Sequence, residues 1–184
     1  MEITDLLHEW RDGNDEAGAQ LFAVTYQELR NIAQTALARE FNRNKIDPAE
    51  LLHEGLILLL GAQQIDWTDR AHFKAVAATC IRRALIDQAR RWNSQKRDGE
   101  HVTLQTKFEV TQSNERYSIE RIHDAIEALS SIDPNRAKVV ELKYFGGLTN
   151  DEVAESMSIS ASTVKRYWRS SRAWLQQELN PRSD

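Results

Sequence analysis

Apolar and polar residues alternate along this chain in blocks of helical period, separated by short breaks. After a short first helix, Gly13–Asn14–Asp15 marks a boundary, and Leu21, Val24, Leu29, Ile32 and Ala36 then recur at spacings that place them on one helical stripe. In "KIDPAELLHEG" the next helix has its start signals in order: Asp47 for the N-cap, Pro48 for the first helical position and Glu50 for the third. The "LLHEGLILLLGA" that follows is apolar on nearly every side, so this helix is expected to be buried or covered by a partner. From Arg70 to about Trp92, Phe73, Val76/Ala77, Cys80/Ile81 and Ala84/Leu85 form another stripe, and most of the basic residues fall off it. Residues 93–115 lose the period. It resumes with Ile119, Ile122, Ala125/Ile126 and Leu129, and continues from Asp133–Pro134 through Val139, Val140, Leu142 and Tyr144 to a Gly146–Gly147 stop. The pattern predicts an all-α protein of two small helical domains, residues 1–92 and 116–182, joined by a linker at 93–115.

The last block carries the most specific local signal. Thr149 and Glu152 form a capping box that opens a short helix containing Val153, Ala154 and Met157. "SIS" follows as a tight turn with Ile159 as its apolar plug. Ser160 then caps a longer helix whose Val164, Tyr167, Ser171, Trp174 and Leu175 keep the buried period. A short helix, a tight turn with a central hydrophobe and a longer second helix make a helix-turn-helix, in which the start of the second helix enters the DNA major groove. Ser162, Thr163, Lys165, Arg166, Arg169 and Arg172 are the DNA-binding candidates, because hydroxyls, ammonium and guanidinium groups donate to base edges and phosphates.

Charge distribution sharpens this reading where the total, a net charge of -4, obscures it. Residues 1–31 hold seven acids against two bases, and residues 98–133 hold eight acids against three. Between and after them lie two basic islands: 70–97, with eight bases against one acid, and 160–179, with four against one. Focused patches of this kind attract a polyanion even when the net charge does not. The single cysteine, Cys80, excludes an internal disulfide and fits a reducing cytoplasm. No signal segment opens the chain, and its longest apolar run is far shorter than a membrane span. Five histidines without metal-ligand spacing, and no nucleophile–base pair, Walker loop or dinucleotide glycine pattern, point to no enzyme, no metal and no cofactor.

Taken along most of its length, the sequence resembles the extracytoplasmic-function (ECF) sigma factors of bacterial RNA polymerase, small members of the sigma-70 family. The likeness rests on "LFAVTYQELRNIAQTALARE", "DPAELLHEGLILLL", "DWTDRAHFKAVAATCIRRALIDQARRW" and "DPNRAKVVELKYFGGLTNDEVAESMSISASTVKRYWRSSRAWL". What the resemblance implies is a division of labour between the domains. The first would bind core polymerase and the -10 promoter element, and the second the -35 element and the flap of the β subunit. By the same resemblance, Lys74, Arg82, Arg83, Arg90 and Arg91 would engage -10 phosphates, with Trp67 and Trp92 as platforms for an unstacked base. Asp47, Glu50, Leu51, His53 and Glu54 would meet the β′ coiled coil. Here the chain departs from the family, whose acidic Asp-Ala-Glu-Asp run is represented by Asp47-Pro48-Ala49-Glu50. Control by a separate anti-sigma factor or a Ser/Thr kinase stays open. No Ser or Thr lies between Asp47 and Asp66, Thr68 being the nearest hydroxyl. Two other readings compete: a helix-turn-helix regulator that binds DNA without replacing a sigma subunit, and a protein-binding module that binds no DNA.

Overall fold

The computed structural model describes residues 2–38, 46–95, 105–107 and 116–180. Within them lie eight α-helices: α1 (Ile3–Arg11), α2 (Asp15–Ala38), α3 (Pro48–Leu60), α4 (Arg70–Gln95), α5 (Ile119–Ile132), α6 (Pro134–Tyr144), α7 (Asn150–Met157) and α8 (Ala161–Leu179). One short ribbon, β1 (Gln105–Lys107) and β2 (Arg116–Ser118), pairs antiparallel with Thr106 opposite Tyr117. Residues 93–95 of the expected linker complete α4 and residues 105–107 form a strand of the ribbon; Lys96, Arg97 and the rest of that stretch lie outside the described residues.

The helix boundaries follow the local chemistry. Gly13 turns the chain between α1 and α2 at φ +95°, a conformation open to glycine, and the Asn14 side chain accepts from the Ala17 amide of the new helix. Asp47 accepts from the Ala49 amide ahead of α3, Ser118 from Arg121 ahead of α5, and Asp133 from Arg136 ahead of α6. Gly147, at φ +64°, ends the α6 region, and a Cβ there would stand 2.8 Å from Thr35 of α2. The expected stripe on α2 needs one correction: Val24 is 58% exposed, and Thr25 is fully buried. At about 100° per residue, position 25 and not 24 falls on the line from Leu21 to Leu29. The Thr25 hydroxyl is satisfied there by donating to the Leu21 carbonyl (2.7 Å).

Helices α1–α4 enclose Leu7, Leu21, Leu51, Trp67 and Phe73, while α5–α8 enclose Ile122, Leu129, Val139, Val164 and Leu175. The two sets share one continuous buried cluster, because α4 also packs against α5, α6 and α7. Close approach on the other side of α4 depends on Gly55 of α3, where a Cβ would meet the Ile81 Cγ1 at 2.7 Å. No helix among the described residues is long and apolar enough to cross a membrane.

Substituting Gly55→Val should force α3 off α4 and cost about 1–3 kcal/mol of stability, as overpacked cores do. The measurement is the urea midpoint, which should fall without a change in the slope of the transition.

Candidate nucleic-acid interface

Local chemistry builds the helix-turn-helix as its residues require. At the start of α7 the Thr149 hydroxyl accepts the Glu152 amide (3.2 Å), and the Glu152 carboxylate accepts the Thr149 amide (2.8 Å). Ser158 closes α7 in the left-handed region (φ 53°), half-buried Ile159 packs against the core, and Ser160 caps α8 by accepting the Thr163 amide. Val164, Ser171, Leu175 and Leu179 are buried, which fixes the rotation of α8. The opposite face therefore carries Ser162, Lys165, Arg166 and Arg169, all exposed and spaced as one helical surface. Arg172 continues that face, its guanidinium 6.0 Å from the Trp168 ring centre. Thr163 is half-buried, with its hydroxyl 2.9 Å from that of Ser160. Two participants escaped the sequence reading: Trp168 and Lys143, the latter reaching from α6 to within 5.6 Å of the same ring. Trp168 thus holds two cations from different helices beside the exposed face. The aromatic at 168 was visible in the sequence, but the arrival of Lys143 depends on how α6 crosses α8.

The basic island on α4 is less positive in space than in sequence. Arg83 and Arg90 are exposed. Lys74 is paired with Glu152 of α7, Arg70 with Glu28 of α2, and Arg91 with Glu54 of α3 at 2.6 Å. Arg82 is buried, 7% exposed, and faces the second set of helices. Its Nε donates to Glu141 (2.7 Å), its Nη1 to the unprotonated Nδ1 of His123 (2.6 Å), and both Nη atoms to Glu127 (3.3 Å). Trp67, expected to hold an unstacked base, is 1% exposed and enclosed by Trp10, Phe73 and His72. Its apolar area is worth more in this core than on the surface, and it offers no face to a base. Trp92 belongs to α4, but its side chain lies outside the described residues.

Helix α3 presents a second surface. Asp47, Glu50 and His53 are exposed, and Glu54 is half-buried against Arg91. Leu51, expected among the contact residues, is fully buried, because it sits on the α3 face that packs inward with Leu52, Gly55 and Leu59. Ile57 and Leu60 are more than half exposed, and Leu58 is 40% exposed. With Glu54, Ala84, Asp87, Arg90 and Arg91, Ile57 and Leu58 line a cavity of about 510 Å³ between α3 and α4. The all-round hydrophobicity of this helix therefore divides into a core side and an uncovered side.

Electrostatics are strongest where α4 meets α5 and α6. Burial alone would raise the Glu141 carboxyl, but the charges and hydrogen bonds of Lys138 and Arg82 outweigh it and hold the group below the usual carboxylate range. His123 is pushed down, by burial first and then by Arg82, against a smaller opposing effect of Glu127; Arg90 also lowers it and Asp124 raises it. Burial raises the Cys80 thiol.

A model of the ECF sigma factor family matches residues 1–181. The RNA polymerase sigma-E factor of Streptomyces avermitilis is 26% identical over 163 residues, covering 86% of this chain and 87% of that one. The structure of CnrH in complex with the cytosolic domain of CnrY aligns over 98% of both chains, at 17% identity and a TM-score of 0.43.

Acid should loosen the protein in two stages. In the unfolded chain His123 takes up its proton near pH 6.5 and Glu141 near 4.3. In the folded protein both resist protonation. Their stabilisation is therefore complete above those values, declines as pH falls below about 6.5, and is lost as pH falls through the folded value of Glu141. The urea midpoint should be lower at pH 5.5 than at pH 7.5, and His123→Gln should shrink that difference.

Proposed function

We propose how the work is divided within this chain, which belongs to the ECF sigma factor family. As a member, it is an alternative sigma factor that binds core RNA polymerase and promoter DNA and directs promoter-specific transcription initiation. In our reading, residues 1–92 form the domain that docks on core and holds the -10 element, and residues 116–182 form the domain that reads the -35 element. The observation that carries the second assignment is the single exposed face of Ser162, Lys165, Arg166, Arg169 and Arg172 on a helix anchored by Val164 and Leu175. Donors on the first turns of such a helix reach base edges in the major groove, and the later cations reach phosphates.

The docking surface on core is assigned to the uncovered side of α3: Glu50, His53, Glu54, Ile57, Leu58 and Leu60. Three exposed large apolar residues on one helix, rimmed by carboxylates, suit a helical partner with apolar and basic side chains. This revises the expected set by adding Ile57, Leu58 and Leu60, by giving Leu51 a packing role and by leaving exposed Asp47 as the N-cap of α3. For the -10 element, Arg83 and Arg90 are the exposed cations of α4 that stand in no ion pair among the described residues. The protein acts by binding and catalyses nothing itself, and its place is the cytoplasm, where its polymerase is. Its control by an anti-sigma factor or a kinase is a separate proposal, to be tested by recovering the protein from induced cells with its partners and phosphates intact.

The first experiment is capture of the purified chain by core polymerase lacking its own sigma. Stoichiometric capture, competed by another sigma factor, is expected; binding to duplex DNA without capture would favour the independent regulator. Ile57→Asp should lower affinity for core at least about tenfold while leaving duplex DNA binding by the full chain unchanged. Arg166→Ala should do the reverse. A lost base or phosphate contact of this kind costs about 1–3 kcal/mol of DNA affinity. Equal loss of both functions in either variant would overturn the division of labour.

A further inference from the structure

Trp168 stands where the buried and exposed sides of α8 meet. Val164, four residues before it, is buried, and Arg172, four residues after it, is exposed on the same side of the helix. The indole is half-buried against the core, and with only two rotatable bonds its place is set once α8 is seated. Two cations gather on it. The Lys143 ammonium lies 5.6 Å from the ring centre and the Arg172 guanidinium 6.0 Å. Lys143 arrives from α6 and is held a second time, donating to the Leu148 carbonyl (3.5 Å) ahead of α7.

The aromatic partner has an electrical consequence. A carboxylate that holds a cation also cancels its charge, as Glu54 does for Arg91 on α4. An indole attracts a cation through its quadrupole and carries no net charge, so the held group keeps its attraction for an anion. Holding it in advance also removes rotamer freedom that a long side chain would otherwise lose on binding. Two cations this close to one ring centre are at most about 12 Å apart, and a DNA strand presents a phosphate every ~3.4 Å of helix axis, so a single backbone meets both.

We propose that Trp168 is a positioning residue for promoter binding: its indole holds Lys143 of α6 and Arg172 of α8 as a clamp on the phosphates of one DNA backbone. The clamp lies at the edge of the face that carries Lys165, Arg166 and Arg169. The ring acts through the two cations and touches no base. Because one cation comes from α6, the duplex is gripped by two helices, and phosphate contacts on both set the angle at which α8 enters the groove. This rests on the reading that the exposed face of α8 meets the -35 element.

The test uses the full chain and a mixed-sequence duplex of about 20 base pairs, two turns of DNA, with affinity measured across a range of salt. Phosphate contacts carry no sequence preference, so the duplex needs no promoter. Lys143→Gln and Arg172→Gln should each lower affinity about fivefold and reduce the salt slope by about one. Trp168→Leu keeps every charge and should also lower affinity about fivefold; in that background each cation variant should cost only about twofold more, because the cations are no longer held. Trp168→Phe keeps a weaker ring and should lose about twofold. Where Trp168→Leu fails to fold, the wild-type chain decides. In its carbon–proton NMR spectrum the Lys143 ε-methylene, identified by its absence in Lys143→Gln, should be shifted upfield by the ring and keep that shift on the duplex. Unchanged affinity in Trp168→Leu, losses that simply add in the double variants, or an ordinary Lys143 shift would each overturn the positioning role and leave the -35 reading in place. Unchanged duplex binding in all of Arg166→Ala, Lys143→Gln and Arg172→Gln would overturn the -35 reading itself.

Discussion

Helix α4 has neighbours on most of its circumference, and the rest of the structure depends on how it meets that constraint. It packs against α2 and α3 on one side and against α5, α6 and α7 on the other. Several helices can approach one closely only if its contact positions are small, and α4 buries Ala71, Ala75, Ala77, Ala78, Ala84 and Ala89. The same crowding leaves little open solvent for its long cations. Arg82 is almost wholly shielded from water where it stands, so carboxylates from the second set of helices neutralise it and an imidazole accepts one of its N–H groups. The junction between the halves thus joins a shared apolar cluster to the polar groups that satisfy one buried guanidinium.

That solution sets the electrostatic character of the molecule. Along the chain, the basic island on α4 reads as a strongly positive segment. In space, Glu28, Glu54, Glu141 and Glu152 are brought to it from four other helices, and only part of the charge stays outward. The cations of α8 are treated differently. Lys165 and Arg169 face solvent with no acid paired to them among the described residues, and the aromatic rings at 167 and 168 lie beside Arg166 and Arg172. The chain therefore leaves the cations of α8 open to solvent and pairs most of those on α4 with carboxylates.

The uncovered side of α3 completes the picture. A helix with both an inward and an outward apolar side leaves hydrophobic area in water, an arrangement that a protein keeps when a partner covers it. Glu54 lies at the edge of that surface and is bonded to Arg91 of α4. The polymerase-facing and DNA-facing assignments are thus physically adjacent.

Local chemistry was enough to read much of this in the sequence. Caps at Asp47, Asp133, Thr149 and Ser160, the breaks at Gly13 and Gly147 and the spacing of Val164, Ser171 and Leu175 depend on residues within a few positions of one another. They determined the helices, the helix-turn-helix and the exposed face of α8, because backbone hydrogen bonding and a 3.6-residue period act at short range. Composition could not decide between two uses of one residue type. A tryptophan at 67 suits a base platform or a core, an arginine at 82 suits a phosphate or a buried carboxylate, and a leucine at 51 suits a partner or its own domain. Tertiary structure decided each of these, because burial and charge pairing are set by residues that arrive from distant parts of the chain: Trp10 for Trp67, Glu141 for Arg82, and the packed interior of the first four helices for Leu51.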